Sequence, residues 1–256
     1  MTQASNLKSQ ISNLKSQIQP HKNMNIHLML PLLLTAAGVA VAQAQTVISS
    51  GHVDLGIAYE SGSWDLHVHQ EVPVEAEFEP GEAILQVGAA AQTAVPANPS
   101  FSFLGNAGDP IWILPKSENP ELLFLGIGAE ELDPADWAGN VTLSLEAVAG
   151  PGRFAIWDTD LFGNPLVWMN SGDGIDASDS LEVIPGSHAH FFYGFTAPGD
   201  YSVTFEASGI FQGVSTASGP VTYQFAVVPE PGTGALLLLG LGGLAAAGWR
   251  RRSKRS

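Results

Sequence analysis

Short runs of alternating apolar and polar residues fill the middle of the chain. Because alternation places successive side chains on opposite faces, each run predicts a β-strand. Gly and Pro separate the runs, and no segment between residues 45 and 228 has a helical period. The pattern predicts an all-β fold, a single antiparallel β-sandwich of the Ig-like or jelly-roll-like kind. The predicted strands are residues 52–59, 64–72, 83–87, 122–127, 141–148, 154–157, 190–195, 201–207 and 221–228. Large aromatic residues are expected in its core: Trp64, Trp112, Trp157, Phe195, Tyr201 and Phe225.

The N-terminal region predicts export. Residues 28–41 form an apolar stretch followed by Ala42-Gln43-Ala44, a small-x-small cleavage pattern. We therefore predict a signal peptide over residues 24–44 and a mature chain that starts at Gln45. The extension at residues 1–23 repeats one heptad twice, which is too short for a stable coiled coil. Translation from Met24 is the simpler interpretation, although it leaves the signal peptide with few basic residues.

The C-terminal region, residues 229–256, predicts a membrane segment. Pro229-Glu230-Pro231 precedes an apolar run at residues 234–249, and Arg250-Arg251-Arg252 follows it. The basic end is expected on the cytoplasmic side of a transmembrane helix, which leaves the 45–228 ectodomain outside. These features resemble the PEP-CTERM sorting signal. The resemblance implies recognition by an exosortase-type enzyme and delivery to the cell surface or extracellular matrix; the alternative is an ordinary C-terminal anchor.

Charge narrows the range of partners. All 25 acidic residues lie between Asp54 and Glu230, where Lys116 and Arg153 are the only basic ones. Such a surface excludes nucleic acid as a partner and attracts cations, although solubility alone also explains it. The chain has no cysteine, so no disulfide contributes to stability.

Histidine placement is the main candidate for chemistry. The predicted mature chain has five histidines, and four of them form two His-x-His pairs. Residues i and i+2 of a strand share a face, so each pair presents two imidazoles side by side, an arrangement that suits a divalent transition metal. The alternative is that they are solvent-facing or satisfied within the core. We expect the two pairs to converge on one face or edge of the sandwich, with the fifth histidine nearby, as a shared site. The candidate ligands are His52, His67, His69, His188 and His190, with Asp54 beside the first.

Several motifs follow one another along the ectodomain: Gly51-His-Val-Asp-Leu55, Phe101-Ser-Phe-Leu-Gly105, Ile111-Trp-Ile-Leu-Pro115, Leu123-Phe-Leu-Gly126, Gly150-Pro-Gly-Arg-Phe154, Trp157, His188-Ala-His190, Phe195-Thr-Ala-Pro-Gly199, Tyr201 and Phe225-Ala-Val227. In this order they resemble the choice-of-anchor M domain, a surface-anchored repeat family whose members carry different C-terminal anchors. Some relatives are associated with metal-type ABC transporters, so the resemblance implies a displayed domain and favours metal binding without implying an activity.

Other chemistries fit the sequence less well. A cupin has a Glu three or four residues after its His-x-His motif. In this chain the residues at those positions after His190 are Tyr193 and Gly194. A cupredoxin site needs a Cys. The acidic loop at residues 171–180 can offer oxygens to Ca²⁺, although it lacks the EF-hand spacing and an ordinary turn is the simpler interpretation.

Together these features predict an exported surface protein that is not a catalyst and that binds a divalent metal or small ligand through its histidines. Expected partners are an exosortase-type enzyme, the membrane through the C-terminal helix, and extracellular polysaccharide. The alternative is an extracellular metal-dependent enzyme acting on polysaccharide.

Overall fold

The computed structural model describes residues 44–229. The predictions for the extension, for all but the last residue of the signal peptide, and for the apolar and basic parts of the tail lie outside this range. Among residues 44–229, none of the helices has the length and apolar character needed to cross a membrane.

The described residues are 54% strand and 5% helix, which confirms the predicted all-β class. Both helices are short 3-10 segments, Ala89–Ala91 and Pro99–Leu104. The strands, in chain order, are β1 (Thr46–Ile48), β2 (Gly51–Glu60), β3 (Ser63–Gln70), β4 (Ala76–Phe78), β5 (Ala83–Val87), β6 (Gln92–Ala94), β7 (Pro110–Leu114), β8 (Leu123–Gly128), β9 (Val141–Ala149), β10 (Phe154–Thr159), β11 (Pro165–Asn170), β12 (Ser180–Val183), β13 (His188–His190), β14 (Phe192–Phe195), β15 (Gly199–Phe211), β16 (Val214–Ala217) and β17 (Val221–Val227).

The strands form three sheets. Sheet I has the order β1-β5-β17-β15-β9-β12, with β16 paired to β15. Sheet II has the order β13-β8-β2-β3-β4, and sheet III has the order β11-β10-β14-β7-β6. A single residue separates β13, an edge strand of sheet II, from β14 of sheet III, so the chain passes directly from one sheet to the other.

Strand direction differs from the prediction in three places. The pairs β1–β5, β5–β17 and β2–β8 are parallel, whereas the sequence pattern led us to expect antiparallel pairing throughout. Alternation reports which face of a strand is buried and carries no information about the direction of its neighbour. The expectation of a purely antiparallel arrangement is therefore wrong for these pairs.

Aromatic side chains join sheet I to sheet III in the main core. Phe225 of sheet I lies 5.2 Å, centroid to centroid, from Phe195 of sheet III, and Phe195 contacts Tyr201 at 5.1 Å. Trp112 is buried in this core, and Trp157 is buried in a second, smaller apolar cluster. Trp64 is only partly buried, and its indole N–H donates to the Thr216 hydroxyl, which links sheet II to sheet I.

Sheet II has two different faces. Its core face carries Val53, Leu55 and Ile57 of β2 with Leu125 and Ile127 of β8, and all five side chains are buried apolar residues. Because side chains alternate along a strand, the residues between them lie on the opposite face. That opposite face carries the histidines.

Candidate metal centre

Three strands of sheet II carry all five candidate histidines to one face. His52 and Asp54 lie two residues apart on β2, and the cross-strand register pairs Asp54 with His69 of β3 on one side. On the other side, Asp54 pairs with Gly126 of β8, which in turn pairs with His190 of β13. Directly paired residues point to the same face of a sheet. We call the surface formed by His52, Asp54, His67, His69, His188 and His190 the histidine face.

Glycines make room between these side chains. A Cβ at Gly126 would lie 2.0 Å from the Asp54 Oδ1 atom and 3.0 Å from the His190 Cε1 atom. A Cβ at Gly56 would lie 2.3 Å from the His67 Nε2 atom. Neither glycine has a backbone conformation that excludes other residues, so the requirement is for space. The glycines let the histidine and aspartate side chains lie across the strands beside them.

Three imidazoles from two strands form the first cluster. The ring centroid of His52 lies 5.0 Å from that of His190 and 5.5 Å from that of His188. One nitrogen from each ring lies within 4.8 Å of the other two. The Phe124 ring stacks on His190 with centroids 3.6 Å apart and an angle of 9° between the planes, which holds that imidazole in place.

Carboxylates orient two of these rings. His52 Nδ1 lies 2.7 Å from a Glu71 carboxylate oxygen, and His188 Nδ1 lies 2.7 Å from one of Glu130. When Nδ1 carries the proton, Nε2 is left as a free lone pair. A metal-binding histidine usually has a carboxylate hydrogen-bonded to its other ring nitrogen. The carboxylate fixes the tautomer and makes the imidazole a better electron-pair donor to the metal.

Several polar atoms on the histidine face are buried without a hydrogen bond. They include Asp54 Oδ1, His52 Nε2 and both ring nitrogens of His190. Asp54 is 2% exposed, and its Oδ2 lies 3.5 Å from His52 Nε2. Buried polar groups are nearly always satisfied, and an unpartnered one costs about 1–3 kcal/mol. A group of them facing one another therefore requires an explanation, and a bound cation would supply the missing partner.

The electrostatics of the first cluster favour neutral imidazole. Burial lowers the pKa of His190 to about 4; the Leu125 backbone opposes this shift, and the neighbouring His52 and His188 rings contribute to it. His190 is thus neutral at pH 7, which is the form that binds metals. Burial also raises the pKa of the Asp54 carboxyl, with the imidazoles of His52 and His188 opposing the shift.

The remaining His-x-His pair forms a second cluster. The ring centroids of His67 and His69 lie 6.1 Å apart on β3. Glu131, in the segment after β8, places its Oε1 atom 3.3 Å from His67 Nε2, without the alignment of a hydrogen bond. The ligand atoms of these three residues lie within 4.8 Å of one another. The two His-x-His pairs therefore share a face but belong to different clusters.

All six candidate ligands lie on this face, and a metal on them stays a prediction. Three glutamates escaped the sequence analysis because the chain is rich in acid and only the fold shows which carboxylates meet a histidine. Glu71 directly follows β3, which carries His67 and His69, so its position was an available signal. Glu130 and Glu131 lie just after β8, which has no histidine, so the sequence did not mark them. The residues missed are Glu71, Glu130, Glu131, Phe124, Gly56 and Gly126.

The acidic loop at residues 171–180 is arranged differently. The Asp179 carboxylate accepts the backbone N–H groups of Asn170 and Asp176, at 2.6 and 2.9 Å. Asp176 accepts the hydroxyl and the backbone N–H of Ser178, and these hydrogen bonds lower the pKa of Asp176. The carboxylates close the turn, which favours the ordinary-turn interpretation over a Ca²⁺ site.

Comparison with known proteins identifies the tail. The PEP-CTERM protein-sorting motif matches residues 227–252, beginning at the last residue of β17. The motif indicates an exported protein that an exosortase sorts to the cell surface. Of the sorting residues, Pro229 lies at the end of the described range, and Glu230, Pro231 and Arg250–Arg252 lie outside it. No curated protein matches the chain.

Proposed function

We propose that this chain is an exported, non-catalytic surface protein whose β-sandwich ectodomain binds a divalent transition metal in the first cluster. Its ligands are His52, His188 and His190, with Asp54 as the fourth. The predicted transmembrane helix at residues 234–249 and the resemblance to the choice-of-anchor M family belong to the same proposal. A sorted ectodomain would present the metal outside the inner membrane, at the surface or in the matrix.

The arrangement of His52 carries the proposal. One ring nitrogen of His52 faces the Glu71 carboxylate at 2.7 Å, and the other is buried, has no hydrogen bond and points to Asp54. A histidine kept only for packing would have no need of an acid on one nitrogen and an unpartnered lone pair on the other. A metal explains both, because it takes the lone pair while the acid holds the proton.

Other ligands explain the first cluster less well. An anion would meet the Asp54 carboxylate and two neighbouring glutamates in a chain that is strongly acidic. An apolar ligand would leave the polar atoms unpartnered. A cation satisfies the aspartate and the imidazole nitrogens together, and three imidazoles with one carboxylate suit zinc and its neighbours in the first transition row.

The number of protein ligands favours binding over catalysis. A catalytic zinc keeps a position open for water or substrate, whereas a site with four protein ligands is closed. His52, His188 and His190 would supply three, and Asp54, whose Oδ2 lies 3.5 Å from His52 Nε2, would supply the fourth. The alternative function, a metal-dependent enzyme acting on polysaccharide, would require Asp54 to stay free of the metal and a water to take its place.

Zinc binding tests the metal. The full chain is purified through a tag without histidines, stripped with chelator and dialysed against Zn²⁺, and its metal content is measured by mass spectrometry. We expect tight binding in the wild type and its loss from the first cluster in the His188→Ala/His190→Ala variant. Zinc content and affinity that do not change in this variant would overturn the proposal. Cobalt spectra that report four ligands and no bound water support the closed site, and an open position would favour the enzyme.

Fractionation tests the sorting. Replacing Arg250, Arg251 and Arg252 with Gln removes the positive charge that keeps the tail on the cytoplasmic side. We expect impaired processing and loss of surface delivery. A Lys replacement of the same three residues is the matched control, since it keeps the charge. Unchanged processing and location in the Gln variant would contradict the sorting role.

A further inference from the structure

We propose that the histidine face holds a second metal site, formed by His67, His69 and Glu131 and separate from the first cluster. This inference goes beyond the proposed function, because it concerns different residues and a second ion. It divides the five histidines, which the sequence suggested as one shared site, into two sites on one sheet.

Burial of His67 is the first support. The residue is 5% exposed, and neither ring nitrogen has a hydrogen bond. Glu131 Oε1 lies 3.3 Å from Nε2, while the closest acidic oxygen to Nδ1, from Asp65, is 3.9 Å away. A buried imidazole with two unpartnered nitrogens beside a carboxylate is costly unless a cation binds between them.

Glycine at position 56 is the second support. Gly56 pairs with His67 across β2 and β3, and its missing side chain leaves the space that the His67 ring fills. Any other residue would push the ring away from Glu131. Asp54, two residues before Gly56 on β2, pairs with His69 in the same register, so the two sites are neighbours across β2 and β3. The two groups of ligands have no residue in common.

The ligand set determines the chemistry of the second site. Two imidazoles and one carboxylate bind zinc with a coordination position left open. The Glu131 side chain is 41% exposed, so the site reaches the solvent. With three protein ligands in place of four, the second site would be the weaker of the two and able to exchange its ion or accept an external ligand.

Two neighbouring glutamates provide a matched test. Glu130 contacts His188 of the first cluster and Glu131 contacts His67 of the second, and both side chains are partly exposed, so neither substitution should disturb the fold. The wild-type full chain should bind two Zn²⁺ in equilibrium dialysis. Glu131→Gln should weaken the lower-affinity ion at least 10-fold and leave the other unchanged, whereas Glu130→Gln should weaken only the higher-affinity ion.

Ligand deletions give the stoichiometry. The His67→Ala/His69→Ala variant should bind one Zn²⁺, the His188→Ala/His190→Ala variant should also bind one, and the combined variant should bind none, with circular dichroism confirming β structure in each. A wild type that binds one ion, kept in the His67→Ala/His69→Ala variant and lost in the His188→Ala/His190→Ala variant, overturns the second site alone. A wild type that binds one ion, lost in the His67→Ala/His69→Ala variant and kept in the His188→Ala/His190→Ala variant, overturns the proposed function and leaves the second site standing. A wild type that binds no zinc overturns both.

Discussion

The histidine face and the acidic loop at residues 171–180 are both plausible cation sites from sequence, and they differ in how their polar atoms are used. In the loop, Asp179 and Asp176 accept backbone N–H groups at 2.6–2.9 Å. On the histidine face, buried atoms of Asp54, His67 and His190 have no hydrogen-bond partner. The carboxylates of the loop have hydrogen-bond donors within the protein, whereas several buried polar atoms of the histidine face have no partner.

The difference shows that residue type alone does not reveal which carboxylates and imidazoles have unused lone pairs. A carboxylate that caps a turn already has donors for its lone pairs, and binding a cation would break those hydrogen bonds. An imidazole beside an unpartnered carboxylate gains a partner when a cation binds, and loses none. Unsatisfied buried atoms therefore separate the two regions where composition does not.

The largest expected effect is on zinc affinity. His52→Ala removes a ligand of the first cluster and should lower the affinity of that site at least about 100-fold, since even loss of an orienting partner typically costs about 10–100-fold. Asp176→Ala is the matched change in the acidic loop, and it should leave zinc affinity unchanged. Calorimetric titration of both variants checks the pair of outcomes. Equal losses in the two variants would mean that zinc binds the acidic surface generally.

Zinc should also raise the free energy of unfolding, and it should do so by binding to the histidine face and not to the acidic loop. At a free Zn²⁺ concentration 100 times the dissociation constant, binding to the native state alone adds about 2.7 kcal/mol to the free energy of unfolding. Thermal unfolding with and without chelator measures this gain. Ca²⁺ at the same free concentration should have little effect, because the carboxylates that could bind it already close the turn. A larger stabilisation by Ca²⁺ than by Zn²⁺ would reverse the comparison.

The loop should matter for stability without metal. Asp179→Ala leaves the backbone N–H groups of Asn170 and Asp176 without their acceptor, and the Asn170 N–H is buried. We expect a loss of about 1–3 kcal/mol in the free energy of unfolding, measured in urea, with zinc affinity unchanged. Asp173→Ala, an exposed residue of the same loop, is the control and should be neutral. An Asp179→Ala variant as stable as wild type would mean that the loop does not depend on these hydrogen bonds.

The fold class and the shared face could be predicted because both depend on alternation. The predicted run at residues 52–59 falls within β2, and the i, i+2 spacing of His67-Val68-His69 places both rings on one side of β3. The division into two clusters could not be predicted, because it depends on β8 lying between β2 and β13. That order joins strands far apart in the chain, one pair of them parallel.

Short and irregular strands were also missed, for a different physical reason. β11 has exposed apolar residues at Leu166 and Val167, so its pattern does not alternate in the way a half-buried strand should. The predicted run at 190–195 merges two strands, since β13 belongs to sheet II and β14 to sheet III. Hydrophobic periodicity cannot show where a chain leaves one sheet for another.

The smallest expected effect on zinc affinity comes from the Glu71 carboxylate, which orients His52. Glu71→Gln keeps an oxygen within reach of His52 Nδ1 but removes the negative charge that makes the imidazole a stronger donor. Zinc affinity of the first cluster should fall about 10-fold, near the lower end of the range for such partners. Glu75→Gln is the matched control, because it removes the same charge from a nearby exposed position. A Glu71→Gln variant that matches Glu75→Gln would assign the effect to surface charge alone, and His52 would then need no carboxylate behind it. A loss of zinc affinity in Glu71→Gln alone would indicate that the buried Nε2 lone pair of His52, which has no hydrogen bond, binds the metal.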